Sequence, residues 1–204
     1  MSTLSYPVRL VGGDDLRRSR LTVFFRLLLL IPHVIVLALY GIAAFFAAIA
    51  AWFAGVFTGR VPDGVHSFIA GYLRYSIRVG AFATILADPF PPFGPGGSYP
   101  VDLEIDPPVE QSRLTVFFRY LLAIPCLIVN NILSYLMYVV AIGLWVVALF
   151  TGGVPAGLQS FGLFVLRFQG RTYSYVLLVN PRYPSFGETP GSLPVNQVAL
   201  PPLP

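Results

Sequence analysis

The chain contains no lysine: all 13 of its basic residues are arginine, set against nine acids, for a formal net charge of +4 over 204 residues. It has one cysteine, Cys126, and two histidines, His33 and His66. A disulfide within the chain is excluded, and so is a cysteine-based metal site. Acids are absent between Asp15 and Asp63, between Asp63 and Asp88, and between Glu110 and Glu188. Proton relays and carboxylate ion sites therefore lack their groups in those stretches. No nucleophile elbow and no phosphate-binding glycine loop occurs, so the expectation is a protein that is not an enzyme and needs no cofactor or metal. No cleavable signal peptide is visible, because Asp14, Asp15, Arg17 and Arg18 interrupt a start that has no apolar core.

Charged residues form only 11% of the chain and hydrophobic ones 56%, where a soluble domain carries about a quarter charged. The mean hydropathy is +0.74. This composition predicts an integral membrane protein. Arginine binds phosphate as a planar fork, so anionic headgroups are the expected counter-charges. Nucleic acid is not an expected partner, since the arginines sit beside or inside apolar runs and not on a polar face.

The chain is a duplication. Ser19-Arg20-Leu21-Thr22-Val23-Phe24-Phe25-Arg26 recurs unchanged as Ser112-Arg113-Leu114-Thr115-Val116-Phe117-Phe118-Arg119, an offset of 93. The same offset carries Tyr6-Pro7-Val8 onto Tyr99-Pro100-Val101, Pro32 onto Pro125, Trp52 onto Trp145, and Arg74 and Arg78 onto Arg167 and Arg171. Residues 1–93 form the first repeat and 99–186 the second, with a Gly/Pro-rich linker at 94–98 and a Pro-rich tail at 187–204 expected to be disordered. Each repeat opens with a short extended piece whose partner the sequence leaves open. Ser19 and Ser112 are then placed to cap helices.

A charge-free run follows at 34–57, and its counterpart at 127–150. At 24 residues each makes about 36 Å of helix against a hydrocarbon core of about 30 Å. Both are expected to span, with a kink at Pro32 and Pro125 separating them from an interfacial helix. The Arg-bearing segments at about 66–87 and 158–179 are marginal: each central arginine costs about 2.5 to 3.5 kcal/mol of insertion. They either lie in the interface, which would make the two copies inverted, or cross with help from the first helix, which would make them parallel. The expected fold is thus all-α, about four transmembrane helices in two tandem parallel repeats, with short extended segments and interfacial helices. Arg17, Arg18, Arg20 and Arg26 before the first span point to a multi-pass protein with a cytoplasmic N-terminus.

The motifs in order, Tyr-Pro-Val, Ser-Arg-Leu-Thr-Val-Phe-Phe-Arg, Ile-Pro, Trp, Phe-Thr-Gly-Arg-Val-Pro, Arg-x-x-x-Arg and Asp-Pro-Phe-Pro-Pro-Phe, resemble the bacterial membrane-protein family called domain of unknown function 4389. The resemblance covers nearly the whole chain as tandem copies. It departs in the second copy at Gly153 and at Asn180-Pro181-Arg182. It implies an integral protein of the bacterial cytoplasmic membrane and transfers no activity.

Two features carry a functional expectation. Arg26, Arg119 and the pairs Arg74/Arg78 and Arg167/Arg171 lie in segments with no neighbouring carboxylate, and each i, i+4 pair sets two guanidinium groups on one helix face. They either snorkel and fix helix depth or bind anionic lipid or phosphate through bidentate hydrogen bonds. Ala43, Ala47, Ala51 and Gly55 recur every four residues, a stripe for close helix packing within the chain, on another membrane protein or on a second protomer. The expected function is an anionic-lipid-binding or scaffolding subunit of a membrane complex. The alternative is a small transporter or channel built on the pseudo-twofold of the repeats.

Overall fold

The computed structural model describes residues 6–187; the tail expected at 187–204 lies, from 188 onward, outside the described residues. In chain order the elements are β1 (Val8–Gly12), α1 (Arg20–Thr58), α2 (Asp63–Ala83), β2 (Val101–Ile105), α3 (Arg113–Phe117), α4 (Arg119–Thr151) and α5 (Ala156–Val176). The Ser19 hydroxyl accepts from the Thr22 N–H at 3.4 Å and caps α1. Gly59, at φ 79°, and Gly152, at φ 72°, end α1 and α4 in the left-handed region that glycine reaches without a Cβ clash. Pro62 and Pro155 then precede α2 and α5.

Neither proline ends a helix. The first helix runs unbroken through Pro32, and in the second copy the break falls at Phe118, between α3 and α4, while α4 continues through Pro125. A proline removes one ladder bond, and the apolar turns on both sides carry the helix past it.

The extended pieces find each other. β1 and β2 pair antiparallel with Leu10 opposite Leu103, and these two residues are 93 apart. A pseudo-twofold axis therefore passes between them. Gly12, at φ 82°, tolerates no side chain, since a Cβ there would lie 2.1 Å from the Pro100 carbonyl oxygen.

The repeats exchange their strands: β2, from the second repeat, packs on α2, and β1, from the first, packs on α5. Helices α2 and α5 lie antiparallel against each other, Leu86 filling the space over Gly162 and Leu166 that over Gly80. α1 packs on α2 and α4 on α5. The layers are thus the strand pair, the α2/α5 pair and the α1/α4 pair. One core joins them, through Val8, Leu10, Leu103, Leu73, Ile77 and Leu166.

The long helices meet at both ends. The Arg18 N–H donates to the Gly152 carbonyl and the Gln111 N–H to the Gly59 carbonyl, each at 2.8 Å, and the two bonds are related by the offset of 93. Trp145 Nε1 donates to the Val23 carbonyl at 2.9 Å, while Gly55 faces Val116. The start of α1 thus sits at the end of α4 and the reverse, so the two run antiparallel. This corrects the expectation of parallel repeats, which followed from counting two crossings per copy. Among the described helices only α1 and α4 are long and apolar enough to cross a membrane. The expected small-residue face is also rotated slightly: Ala44, Ala48, Ala51 and Gly55 are buried, Ala47 is half-buried and Ala43 is exposed. It packs in part on Val116 of the same chain.

A cysteine pair at positions 9 and 104, which face each other across the strands, should close a disulfide when Cys126 is replaced by Ala. Antiparallel partners have Cα atoms about 4.5–5.5 Å apart, inside the disulfide range. Mild oxidation should consume both thiols of the monomer; two thiols remaining free would contradict the strand pairing.

Candidate functional site

Of the arginines singled out from the sequence, Arg26 and Arg119 lie where the backbone of α2 and α5 ends. α2 and α5 close with Ile85 at φ 63° and Leu178 at φ 64°, left-handed positions that are uncommon for residues with a side chain. Their last carbonyl groups turn inward and need donors. At the end of α2, Arg18 Nε donates to the Ile85 carbonyl and its Nη2 to that of Leu86, both at 3.0 Å. Arg26 donates to the carbonyls of Phe82 and Ala87 and to Asp88 Oδ1, the last two at 3.0 and 3.1 Å. At the end of α5, Gln111 Nε2 donates to the Leu178 carbonyl at 2.8 Å, and Arg119 to the Asn180 carbonyl at 3.1 Å and to Gln111 Oε1. Arg26 and Arg119 also each lie over a ring, Arg26 4.4 Å from Phe82 and Arg119 4.2 Å from Tyr175.

The first Arg pair has a carboxylate after all. Asp102 of β2 accepts from Arg74 Nη2 at 2.6 Å and from Arg78 Nε and Nη2 at 3.0 and 2.8 Å. Arg78 is fully buried and also donates to the Gly96 and Gly97 carbonyls at 2.6 and 3.0 Å, which holds the inter-repeat linker against α2. The expectation that no acid lies near the pair fails because Asp102 arrives from the exchanged strand. Burial alone would push the Asp102 carboxyl up; the hydrogen bonds from Arg78, Arg74 and the Leu103 N–H outweigh it and hold the group below its ordinary value.

The second pair is built differently. The offset of 93 places Arg9 where Asp102 stands, and Arg9 turns to Asp106 at 3.0 Å and Glu104 at 3.6 Å. Arg171 donates to the Ser185 and Gly187 carbonyls, both at 2.7 Å, and lies 4.4 Å over the Tyr6 ring. The Tyr6 hydroxyl donates to the Arg182 carbonyl and accepts from Asn180 Nδ2, and burial pushes its pKa up to about 12. Arg167 is half-buried, with its Nε enclosed and unbonded.

The histidines are packed. His33 Nδ1 lies 2.7 Å from the Tyr75 hydroxyl and its ring stacks on Phe93; His66 Nε2 lies 3.2 Å from the Val179 carbonyl. Among the described residues no three His, Cys, Asp or Glu side chains gather as a metal site requires. Missed from the sequence was a polar recess of about 330 Å³ lined by Ser76, Asn131, Ser134, Tyr135, Gln169 and Tyr173, among others. Its signal was present in Asn130, Asn131, Ser134 and Tyr138, which replace Leu37, Ala38, Gly41 and Phe45 of the first copy. The lining holds no charge. It can exchange neutral hydrogen bonds but offers no carboxylate, imidazole or guanidinium.

Residues 20–94 and 113–187 each match the family model described as a domain of unknown function, DUF4389. The chain belongs to this family, in two tandem copies. No curated protein and no solved structure matches it. Neither DUF4389 segment includes its own strand, so β1, β2, Arg9, Asp102, Arg18 and Gln111 all lie outside the matched residues.

Replacing Asp102 by Ala should destabilise the DUF4389 protein by about 3 kcal/mol, because Arg78 is left buried without its carboxylate. With the folded carboxyl held low, the parent's ion-pair stability is fully present above about pH 4, the unfolded value, and is lost as pH falls through the folded one. Thermal unfolding in detergent against pH should show that acid slope in the parent and a smaller one in Asp102→Asn.

Proposed function

We propose that this protein is a non-enzymatic module of the bacterial cytoplasmic membrane that binds anionic lipid and offers a scaffold to partner proteins there. One observation carries the reading. The most apolar 18-residue window of α1 is 17% buried, and so is that of α4. A core helix of a soluble protein would be mostly covered, whereas these two present a continuous apolar surface far larger than an isolated exposed residue. Exposed arginines frame that surface, Arg17 and Arg20 at one end and Arg60 and Arg113 at the other. Of these, Arg60 pairs with exposed Asp63 at 3.1 Å. Such residues suit phosphate headgroups, each contributing about 1 kcal/mol near an anionic surface.

Of the lipid site expected at Arg26, Arg74, Arg78, Arg119, Arg167 and Arg171, only Arg167, half-buried with its Nε unbonded, is not shown tied to its own chain, and the site is better drawn at these exposed arginines. Arg26, Arg78, Arg119 and Arg171 are buried and hold carbonyls or carboxylates of their own chain, and Arg74 is tied to Asp102. The transporter alternative would draw on the polar recess, whose lining offers hydroxyl and amide groups and no charge.

Lipids retained by the detergent-purified protein should be enriched in anionic species over the source membrane. Changing Arg17, Arg20, Arg60 and Arg113 together to Gln should abolish that enrichment. Arg74→Lys with Arg78→Lys should keep it and lower the melting temperature instead, because an ammonium cannot reproduce the forked bonds to Asp102. Enrichment that survives the Gln variant and vanishes in the Lys variant would return the site to the buried pair.

A further inference from the structure

We propose that α1 and α4 lie in the plane of the membrane rather than across it, so that the protein is monotopic, immersed in one leaflet with its pseudo-twofold axis along the membrane normal. This rests on the reading that the chain works at a lipid surface, and it names the surface and its pose.

Length argues first. Leu28, Leu39, Phe46 and Phe57 stand 11, 7 and 11 residues apart, spacings that return to nearly the same side of a helix at 100° per residue. They are exposed by 62, 65, 63 and 70%. Further toward the start, Leu21 is 69% exposed; its counterpart Leu114 is 70% and Phe150, the counterpart of Phe57, 74%. From Leu21 to Phe57 the helix covers about 54 Å. Fitting that apolar length across a core of about 30 Å requires a tilt of roughly 55°, beyond the observed range of about 0–40°. Laid flat, a helix about 10 Å thick fits within a single leaflet of about 15 Å.

The strands argue independently. Chain segments at both ends of the sheet tie it to the ends of α5 and α2, which Arg119 and Arg26 in turn hold to the starts of α4 and α1. Tyr6 bonds the Arg182 carbonyl near the end of α5, and the Asp14 carboxylate accepts from the Asp88 N–H beyond the end of α2. The sheet thus runs alongside α1 and α4, with the Leu10–Leu103 pair halfway. If the long helices crossed the bilayer, a two-stranded sheet with open edges would stand at mid-depth. Arg9, Glu104 and Asp106 would stand there with it, their side chains 26, 54 and 41% exposed. Open sheet edges do not occur against lipid, and each charge adds about 2.5–3.5 kcal/mol. With the axis along the normal, the layers stack in order of polarity instead: α1/α4 in lipid, α2/α5 above them, and the charged strands in water.

Charge at the helix ends agrees. Exposed arginines stand at both ends of the α1/α4 layer in equal number, so a crossing pose has no positive side to prefer. A flat pose brings all four to the headgroup level of the same leaflet.

The test uses the full chain with Cys126→Ala and single cysteines at Asp15 or Asp63, exposed residues at opposite ends of α1. A membrane-impermeant thiol reagent is applied to spheroplasts and to inside-out vesicles. Both positions should react from the same one side and be protected from the other. Fluorophores on cysteines at 28, 39, 46 and 57, quenched by lipids brominated at different depths, should report one depth within a few ångströms. Labelling of positions 15 and 63 from opposite sides, with positions 39 and 46 deepest, would overturn the flat pose and leave lipid binding standing. A chain recovered free of membranes would overturn both.

Discussion

Carbonyl groups released where α2 and α5 end are the constraint on which the rest of this structure hangs. Ile85 and Leu178 reverse the chain in the left-handed region, and the last turns leave inward-facing carbonyls where water does not reach. An enclosed carbonyl without a donor costs about as much as a lost hydrogen bond. Arg18 and Arg26 supply donors at one end, and Gln111 and Arg119 at the other. All four residues sit close to the start of a long helix or of the short α3 that leads into one. Satisfying α2 and α5 therefore fixes where α1 and α4 begin, and the bonds from Arg18 to Gly152 and from Gln111 to Gly59 fix where the opposite long helix ends.

A symmetric frame thus holds asymmetric chemistry. Arg18 becomes Gln111 at the matching position and still caps the same carbonyl, while Asp102 and Arg9 occupy one position with opposite charge. The first copy gathers its charges into a compact Asp102–Arg74–Arg78 cluster. The second closes Arg171 with the Ser185 and Gly187 carbonyls. Polar residues on α4 have no counterpart on α1 and open the recess beside α5, where Gln169 donates to the Ser134 hydroxyl at 2.8 Å and Asn130 to that of Tyr173 at 3.2 Å. Duplication supplied the scaffold, and divergence made its two halves chemically distinct.

Much of this was legible in the residues. The octapeptide and the offset of 93 define the copies, charge-free runs mark α1 and α4, and the Thr-Gly turns mark their ends, because composition and helix-ending chemistry act within a few residues of sequence. What the sequence did not contain was which copy touches which. No local pattern says that the strand bearing Asp102 crosses to the helix bearing Arg74 and Arg78, so the pair read as lacking an acid. Nor does hydropathy carry direction: a charge-free run looks the same whether it crosses a bilayer or lies in it. Helix, turn and repeat are settled by near neighbours along the chain. The antiparallel long helices, the exchanged strands and the apolar face they leave uncovered depend on contacts some 60 to 120 residues apart, as between Arg26 and Ala87 or Trp145 and Val23, and those exist only once the chain has folded.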